Sequence, residues 1–230
     1  MWKQVVANLR VTHAGRISQE GEARIVAATD QEAFWRGEFG NEYTDRNEGA
    51  HWIASNAAFF AKVLSRTQDV GTILELGSNS GLNLAALTGL LPAASLSAVE
   101  INEKAAAQLT RNLPNVDLRV TSILEFEPEK SWDLVFTKGV LIHINPDRLA
   151  DVYELMYRAA SRYILLSEYY SPNLTEIVYR GHSGKLFKRD FAGEMLDAFS
   201  DLSLVDYGFV YHRDPNFPQD DMTWFLMARE

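Results

Sequence analysis

The apolar positions of this chain change their period at Thr72. Upstream, Trp52, Ile53, Ala57, Phe59, Phe60, Val63 and Leu64 recur at helical spacing, and the polar stretch from Gln68 to Gly71 ends that helix. Earlier still, Asp30 reads as an N-cap, with Gln31 and Glu32 in the first turn and Phe34 and Trp35 behind them. That helix stops near Gly37 or Gly40. Val5, Val6, Leu9 and Val11 fit a short helix or a strand, and Thr12 to Gly21 reads as loop.

From Thr72 onward, short apolar runs alternate with amphipathic segments. Strands are predicted at Ile73–Leu76, Ser95–Glu100, Val116–Val120, Asp133–Thr137 and Tyr163–Ser167. Helices are predicted at Asn83–Leu91, Glu103–Leu113, Pro146 to about Ala160, and Phe187–Phe199. Such alternation implies a parallel sheet covered by helices on both faces. The last runs, Leu202–Val210 and Met222–Ala228, are joined only by His212 to Asp221, rich in Pro and Asp. No crossover helix fits there, so the two runs pair antiparallel. The expected fold is therefore α/β, with a mostly parallel seven-stranded sheet and an antiparallel last strand. Residues 1–48 form an N-terminal helical or lid segment ahead of the main domain at 49–230.

Composition narrows the chemistry. With 230 residues the chain can bury a sizeable core. Its formal net charge of −9 repels phosphate backbones and disfavours nucleic acid as a partner, although Lys185, Lys188 and Arg189 make a small basic patch. Cysteine is absent, which excludes disulfides, thiolate metal sites and cysteine nucleophiles. Met1 to Arg16 holds no apolar run of the signal-peptide kind, and no stretch approaches the ~18 apolar residues of a membrane span. The expectation is a cytoplasmic protein without a membrane partner, monomeric or homodimeric. The histidines at 13, 51, 143, 182 and 212 are scattered without metal-ligand spacing, so no metal is expected. The absence of a G-x-S-x-G elbow argues against a hydrolase.

The first predicted strand runs into Glu75-Leu76-Gly77-Ser78-Asn79-Ser80-Gly81. Gly77 permits a tight turn after the strand, and Gly81 lets the next helix start close to the sheet. About 19 residues beyond Gly81, Glu100 ends the second strand, where a carboxylate can accept both hydroxyls of a ribose. A dinucleotide site is disfavoured. Asn79 stands where G-x-G-x-x-G needs its second glycine, and Glu75 would repel a phosphate but attract a cationic methionine moiety.

Glu75 to Gly81 resembles the first motif of class I S-adenosylmethionine-dependent methyltransferases, with Asn79 in place of a common glycine. Glu100, followed by Ile101, matches the ribose acid of that family. Thr121-Ser122-Ile123 corresponds to the adenine contact, with Ser122 where an aspartate is more usual. Asp133-Leu134-Val135-Phe136 resembles the fourth-strand motif, and Val140 to Ile144 the segment that follows it. The resemblance spans residues 72 to 170. It implies a Rossmann-like fold, S-adenosyl-L-methionine as cofactor with S-adenosyl-L-homocysteine as product, and a small-molecule methyl acceptor. The implied cofactor residues are Glu75, Gly77, Ser78, Asn79, Gly81, Glu100, Ile101, Ser122, Ile123 and Lys138. Two further blocks, Phe34 to Asn47 and Tyr179 to His182 with Leu186 to Phe191, resemble the methyltransferase family associated with pseudaminic acid biosynthesis, which points to a sugar or acidic metabolite.

Methyl transfer from a sulfonium is an in-line displacement, so alignment and exclusion of water dominate. A hydroxyl nucleophile also needs a base, whereas an amine need only arrive unprotonated. His143 and His182 are candidate bases, joined by Glu168 after the fifth strand; each histidine can equally be a packing residue. Trp35, Tyr43 and Arg46 are candidate cofactor contacts. Arg46 suits a carboxylate but can also pair with Asp45 or Glu42, and the aromatic residues can simply pack. Tyr169, Tyr170, Arg180, Lys188 and Arg189 are candidate acceptor contacts; the cations can instead be a solvated helix start. Two other functions stay open at this point: a non-catalytic S-adenosylmethionine-binding partner protein, and a nicotinamide-dependent oxidoreductase.

Overall fold

The computed structural model describes residues 29–47 and 49–230. The expectations for Val5, Val6, Leu9, Val11 and the loop from Thr12 to Gly21 lie outside the described residues. Three helices come first: α1 (Asp30–Arg36), α2 (Glu38–Arg46) and α3 (Ala50–Leu64). The alternating portion follows as β1 (Thr72–Leu76), α4 (Leu82–Leu90), β2 (Ser95–Glu100), α5 (Glu103–Asn112), β3 (Asp117–Val120), β4 (Trp132–Lys138), α6 (Leu149–Ala159) and β5 (Ala160–Glu168). The chain ends with β6 (Thr175–Tyr179), β7 (His182–Lys188), α7 (Phe191–Ala198), β8 (Leu202–Val210) and β9 (Met222–Arg229).

Seven strands form one sheet in the order β3-β2-β1-β4-β5-β9-β8. Strands β1 to β5 pair parallel, and β9 pairs antiparallel with both β5 and β8. Side-chain alternation along the central strands builds a core on each face. Leu74, Leu76, Val135, Ile164 and Leu166 pack with Val152 and Met156 of α6 and Met195 of α7. Ile73, Leu134, Phe136 and Leu165 pack with Phe60 and Val63 of α3, Leu84 and Leu87 of α4, and Leu109 of α5. Asp133 fastens β4 to the start of β1: its Oδ2 accepts the Gly71 and Thr72 amides, each at 2.9 Å, and the Thr72 hydroxyl at 3.0 Å.

Two local expectations are corrected, and one element is added. The N-cap of α1 is Thr29, not Asp30; its side chain takes the Glu32 amide, and the Glu32 carboxylate returns to the Thr29 amide. The helix expected to stop near Gly37 or Gly40 does end at Arg36 with Gly37 as its C-cap, and a second helix, α2, that was not expected starts from the same glycine. The helix expected over Phe187–Phe199 is only Phe191–Ala198. Leu186 to Lys188 belong instead to a hairpin, β6–β7. Arg180 and Gly181 form its two-residue turn with φ of 50° and 88°, the left-handed pair that a twisted hairpin favours. A 3-10 turn at Pro146–Arg148 also precedes α6 proper.

Candidate active site

The C-terminal ends of β1, β2 and β4 open into a cleft of ≈ 540 Å³, the position at which open α/β sheets receive ligands. Its floor is the β1–α4 loop. Gly77 (φ 76°) makes the turn, and a Cβ there would lie 2.7 Å from Val140 Cγ2. Asn79 also takes a left-handed conformation (φ 47°), which asparagine tolerates better than most residues. Its Oδ1 accepts the Ser80 amide at 2.7 Å, and its Nδ2 donates to the Thr44 hydroxyl at 3.3 Å. Asparagine thus fills the backbone role that its place in the glycine loop demands, and its side chain ties the loop to α2.

Glu100 ends β2 and is 6% exposed. Its Oε2 accepts the Asn79 amide at 2.6 Å and its Oε1 accepts the Asn102 amide at 2.7 Å. Burial raises it above the usual carboxylate range, against the pull of these amides. Each oxygen keeps a second acceptor position, so the carboxylate can receive a vicinal pair of hydroxyls. The Ser78 hydroxyl and Asn83 Oδ1 are buried without a partner among the described residues, and both residues line the cleft. These features fit a ribose-bearing, polar cofactor.

One wall comes from outside the sheet. Helices α1 and α2 are held over the β2–α5 loop by Asn102, whose Nδ2 donates to Trp35 O at 3.1 Å and to Asn41 Oδ1 at 3.0 Å. A Cβ at Gly40 would come within 1.9 Å of the Trp35 carbonyl oxygen, so this corner requires glycine. The β6–β7 hairpin then closes on α1: Gln31 Nε2 donates to Gly184 O at 2.8 Å, and Lys185 Nζ to Asp30 O at 2.8 Å. Together they place Trp35 at 5.1 Å from the Tyr43 ring, 4.6 Å from His143 and 6.5 Å from Tyr179. Burial raises the Tyr43 phenol above its ordinary value, so it stays protonated.

His143 ends a 3-10 turn, Leu141–His143, and lines the cleft. Its Nδ1 lies 2.6 Å from the Lys185 carbonyl oxygen, which can only accept. Nδ1 therefore carries the proton and Nε2 is the acceptor. Burial pushes the imidazole down to about 4, so it is neutral at physiological pH. Glu168 lies beneath this turn rather than in the cleft lining. Its Oε2 accepts the Val140 amide at 3.0 Å and the Ile142 amide at 3.4 Å, and burial raises it to about 7. It holds the backbone that carries His143.

Of the remaining expected residues, Trp35, Tyr43, Arg46, Ser78, Ile101, Ser122, Ile123, Lys138, Tyr169 and Arg180 line the cleft. Arg46 also pairs with Glu42 at 3.3 Å. Glu75 is 1% exposed beneath the loop; burial raises it to about 8, opposed by Asn83 and Lys138. Gly81 caps α4 behind the lining. His182 is exposed and meets the edges of Phe34 and Phe39 at 5.0 and 5.6 Å, outside the cleft. Tyr170 is 44% exposed beyond it, Lys188 lies over the Tyr169 ring at 5.3 Å, and Arg189 pairs with Glu194 at 2.7 Å. The basic patch of Lys185, Lys188 and Arg189 therefore contributes nothing to the lining, and Arg180 is the expected cationic acceptor contact that reaches it. Glu32, Trp52, Asn56, Tyr179, Gln219 and Asp220 also line the cleft without having been expected there. Gln219 and Asp220 lie in the β8–β9 loop, which has no periodic signal. The unexpected hairpin supplies Tyr179.

Residues 73–162 match the family model described as a methyltransferase domain. No curated protein matches the chain. Among solved structures, DhpI in complex with S-adenosylhomocysteine is 21% identical, with 86% of this chain and 95% of that one covered at a TM-score of 0.62. The Burkholderia thailandensis 1,6-didemethyltoxoflavin-N1-methyltransferase, solved with 1,6-didemethyltoxoflavin and S-adenosylhomocysteine, is 17% identical (91% and 93% covered, TM-score 0.65). An amino pentose methyltransferase from Micromonospora echinaspora, bound to S-adenosylmethionine, is 13% identical (84% and 96% covered, TM-score 0.59). The chain thus shares the fold of these methyltransferases, and its residues 73–162 are similar to the methyltransferase domain model.

Proposed function

We propose that the protein is an S-adenosylmethionine-dependent methyltransferase that acts on an oxygen or nitrogen of a polar small molecule. The observation that carries this is the buried Glu100 carboxylate, which keeps two acceptor positions at the floor of a cleft whose opposite wall is aromatic and holds a neutral histidine. When bound, S-adenosylmethionine supplies an electrophilic methyl group on a leaving group that needs no further activation. Glu100 holds the ribose, and the Gly77–Asn79 loop and Arg46 meet the amino-acid end. Trp35, Tyr43 and Tyr179 exclude water from the transfer site, which strengthens alignment and suppresses hydrolysis. His143 receives a hydrogen bond from the acceptor's nucleophile at Nε2. Glu168 is a positioning residue that keeps this turn in register.

At the mouth, Arg180 and Asp220 both line the cleft, which suits an acceptor carrying both acidic and basic or hydroxyl groups. The resemblance to the pseudaminic-acid-associated family and the small-molecule acceptors named for similar structures support a sugar or a polar heterocycle. Incubation with methyl-labelled S-adenosylmethionine and a panel of amino sugars, sugar acids and hydroxylated or aminated heterocycles tests this. The expected result is label on one acceptor class, with His143→Gln lowering kcat and leaving S-adenosylhomocysteine binding intact. Cofactor binding with no transfer, to the panel or to a metabolite extract, would favour a non-catalytic binding protein.

A further inference from the structure

The base end of the cleft holds a carboxylate that does not come from the sheet. Glu32 of α1 is 8% exposed and lines the cleft together with Ile101, Ser122, Ile123 and Leu124. Its Oε1 accepts the Ser122 hydroxyl across 90 residues of sequence, and its Oε2 accepts the Thr29 amide at 2.6 Å. Ser122 Oγ in turn accepts the Leu124 amide at 3.0 Å, so the serine orients the glutamate rather than facing the cleft alone. A carboxylate offers about four acceptor positions, so these contacts, with the Thr29 hydroxyl, still leave Glu32 acceptor capacity toward the cleft. Burial opposes the charge, but the Ser122 and Thr29 hydrogen bonds outweigh it and hold Glu32 below its ordinary value. An ionised, enclosed carboxylate with spare acceptor positions is complementary to a neutral donor such as an amino group.

Sheet order says which donor arrives there. Strand β2 lies between β3 and β1, so a nucleoside whose ribose rests on Glu100 puts its base toward the end of β3, where Ser122 to Leu124 begin. Its other end lies over β1 and β4. The isoleucines at 101 and 123 offer apolar faces for a flat ring, and Glu32 supplies the acceptor at its edge.

Resting on the cofactor reading above, we propose that Glu32 reads the 6-amino group of the cofactor's purine and thereby couples occupancy of the base site to closure of the α1–α2 wall. The same carboxylate closes the capping box of α1, and Trp35, which forms the acceptor-side wall, follows three residues later. Filling the base site therefore fixes the helix that completes the transfer site.

The test compares S-adenosylhomocysteine with its deaminated 6-oxo analogue by calorimetry, with no acceptor required. The wild type should prefer the amino form by roughly tenfold to a hundredfold, the range expected for one charge-assisted hydrogen bond. Glu32→Gln, whose amide can both accept and donate, should bring the two ligands to within about threefold. Ser122→Ala, which leaves the capping box intact, should reduce the preference by mis-setting the carboxylate. Trypsin cleavage after Arg36 and Arg46 should be slowed by S-adenosylhomocysteine in the wild type and not by the 6-oxo analogue. Equal affinity of the wild type for both ligands, or an unchanged preference in Glu32→Gln, overturns the assignment of Glu32. Binding of both ligands with equal trypsin protection overturns the coupling. Failure of the wild type to bind S-adenosylhomocysteine at all overturns the underlying cofactor reading instead, and this inference with it.

Discussion

Replacing Glu100 by glutamine isolates the ribose contact with the least damage to the fold. The carboxylate takes the Asn79 and Asn102 amides through different oxygens, at 2.6 and 2.7 Å. Glutamine keeps one oxygen and turns an NH2 group toward the second backbone N–H, so one buried donor loses its acceptor. That costs folding about 1–3 kcal/mol, which a chain of this size should survive. On the ligand side, one of two charge-assisted acceptors becomes a donor, a loss of about 1.5–3 kcal/mol, so the Kd for S-adenosylhomocysteine should rise roughly tenfold to 150-fold. Isothermal calorimetry on the wild type and Glu100→Gln reads this directly, with circular dichroism to confirm folding. A ligand lacking both ribose hydroxyls completes the cycle: the wild type should lose affinity for it, and the variant should lose much less. A folded Glu100→Gln protein that binds S-adenosylhomocysteine as tightly as the wild type would refute the ribose assignment.

Other outcomes follow from the same geometry. His143 is depressed to about 4 in the folded protein, so between about 6.5 and 4 the unfolded chain takes up a proton that the native chain refuses; this contribution to stability is lost as pH falls through that window, by about 3 kcal/mol at most. Glu168, raised to about 7, acts oppositely: its contribution is complete below about 4.5 and is lost as pH rises toward 7. Denaturant melts at several pH values should show the stability of His143→Phe falling more steeply with rising pH than the wild type, and that of Glu168→Gln falling less; parallel curves for all three proteins would contradict both assignments. Gly77→Ala forces an alanine to φ 76° and drives its Cβ to 2.7 Å from Val140 Cγ2. It should cost about 1–3 kcal/mol in a thermal melt and weaken S-adenosylhomocysteine binding, whereas unchanged values would show that the loop relaxes freely.

The layered core was readable from the chain because its strands are nearly continuous apolar runs and its helices keep a clean period. The places of Glu75 to Gly81 at the end of β1 and its turn, and of Glu100 at the end of β2, were readable because turn geometry and strand-end position constrain residue type there. The hairpin wall of the cleft was not. Residues Leu186 and Phe187 are buried in a strand that continues directly toward the helix at Phe191, so one apolar run hid a change of element. The only local sign of the hairpin was Arg180-Gly181, and it lacks the asparagine or aspartate that usually announces such a turn. His143 and His182 look alike in sequence; burial separates them, one under Trp35 and the other on the surface against Phe34. Glu32 could not be assigned to the cleft from its surroundings, because its partner Ser122 lies 90 residues away.

The cleft is read here as a site for S-adenosylmethionine. That reading is tested most directly by thermal melts of the wild-type protein with S-adenosylmethionine, S-adenosylhomocysteine and NAD. A ligand at about 100 times its Kd adds about 2.7 kcal/mol, which for a domain of this size is a rise of roughly 5–10 °C in Tm. Both sulfur-containing ligands should give that rise, and NAD should give none. A rise with NAD alone, or with none of the three, would contradict that reading.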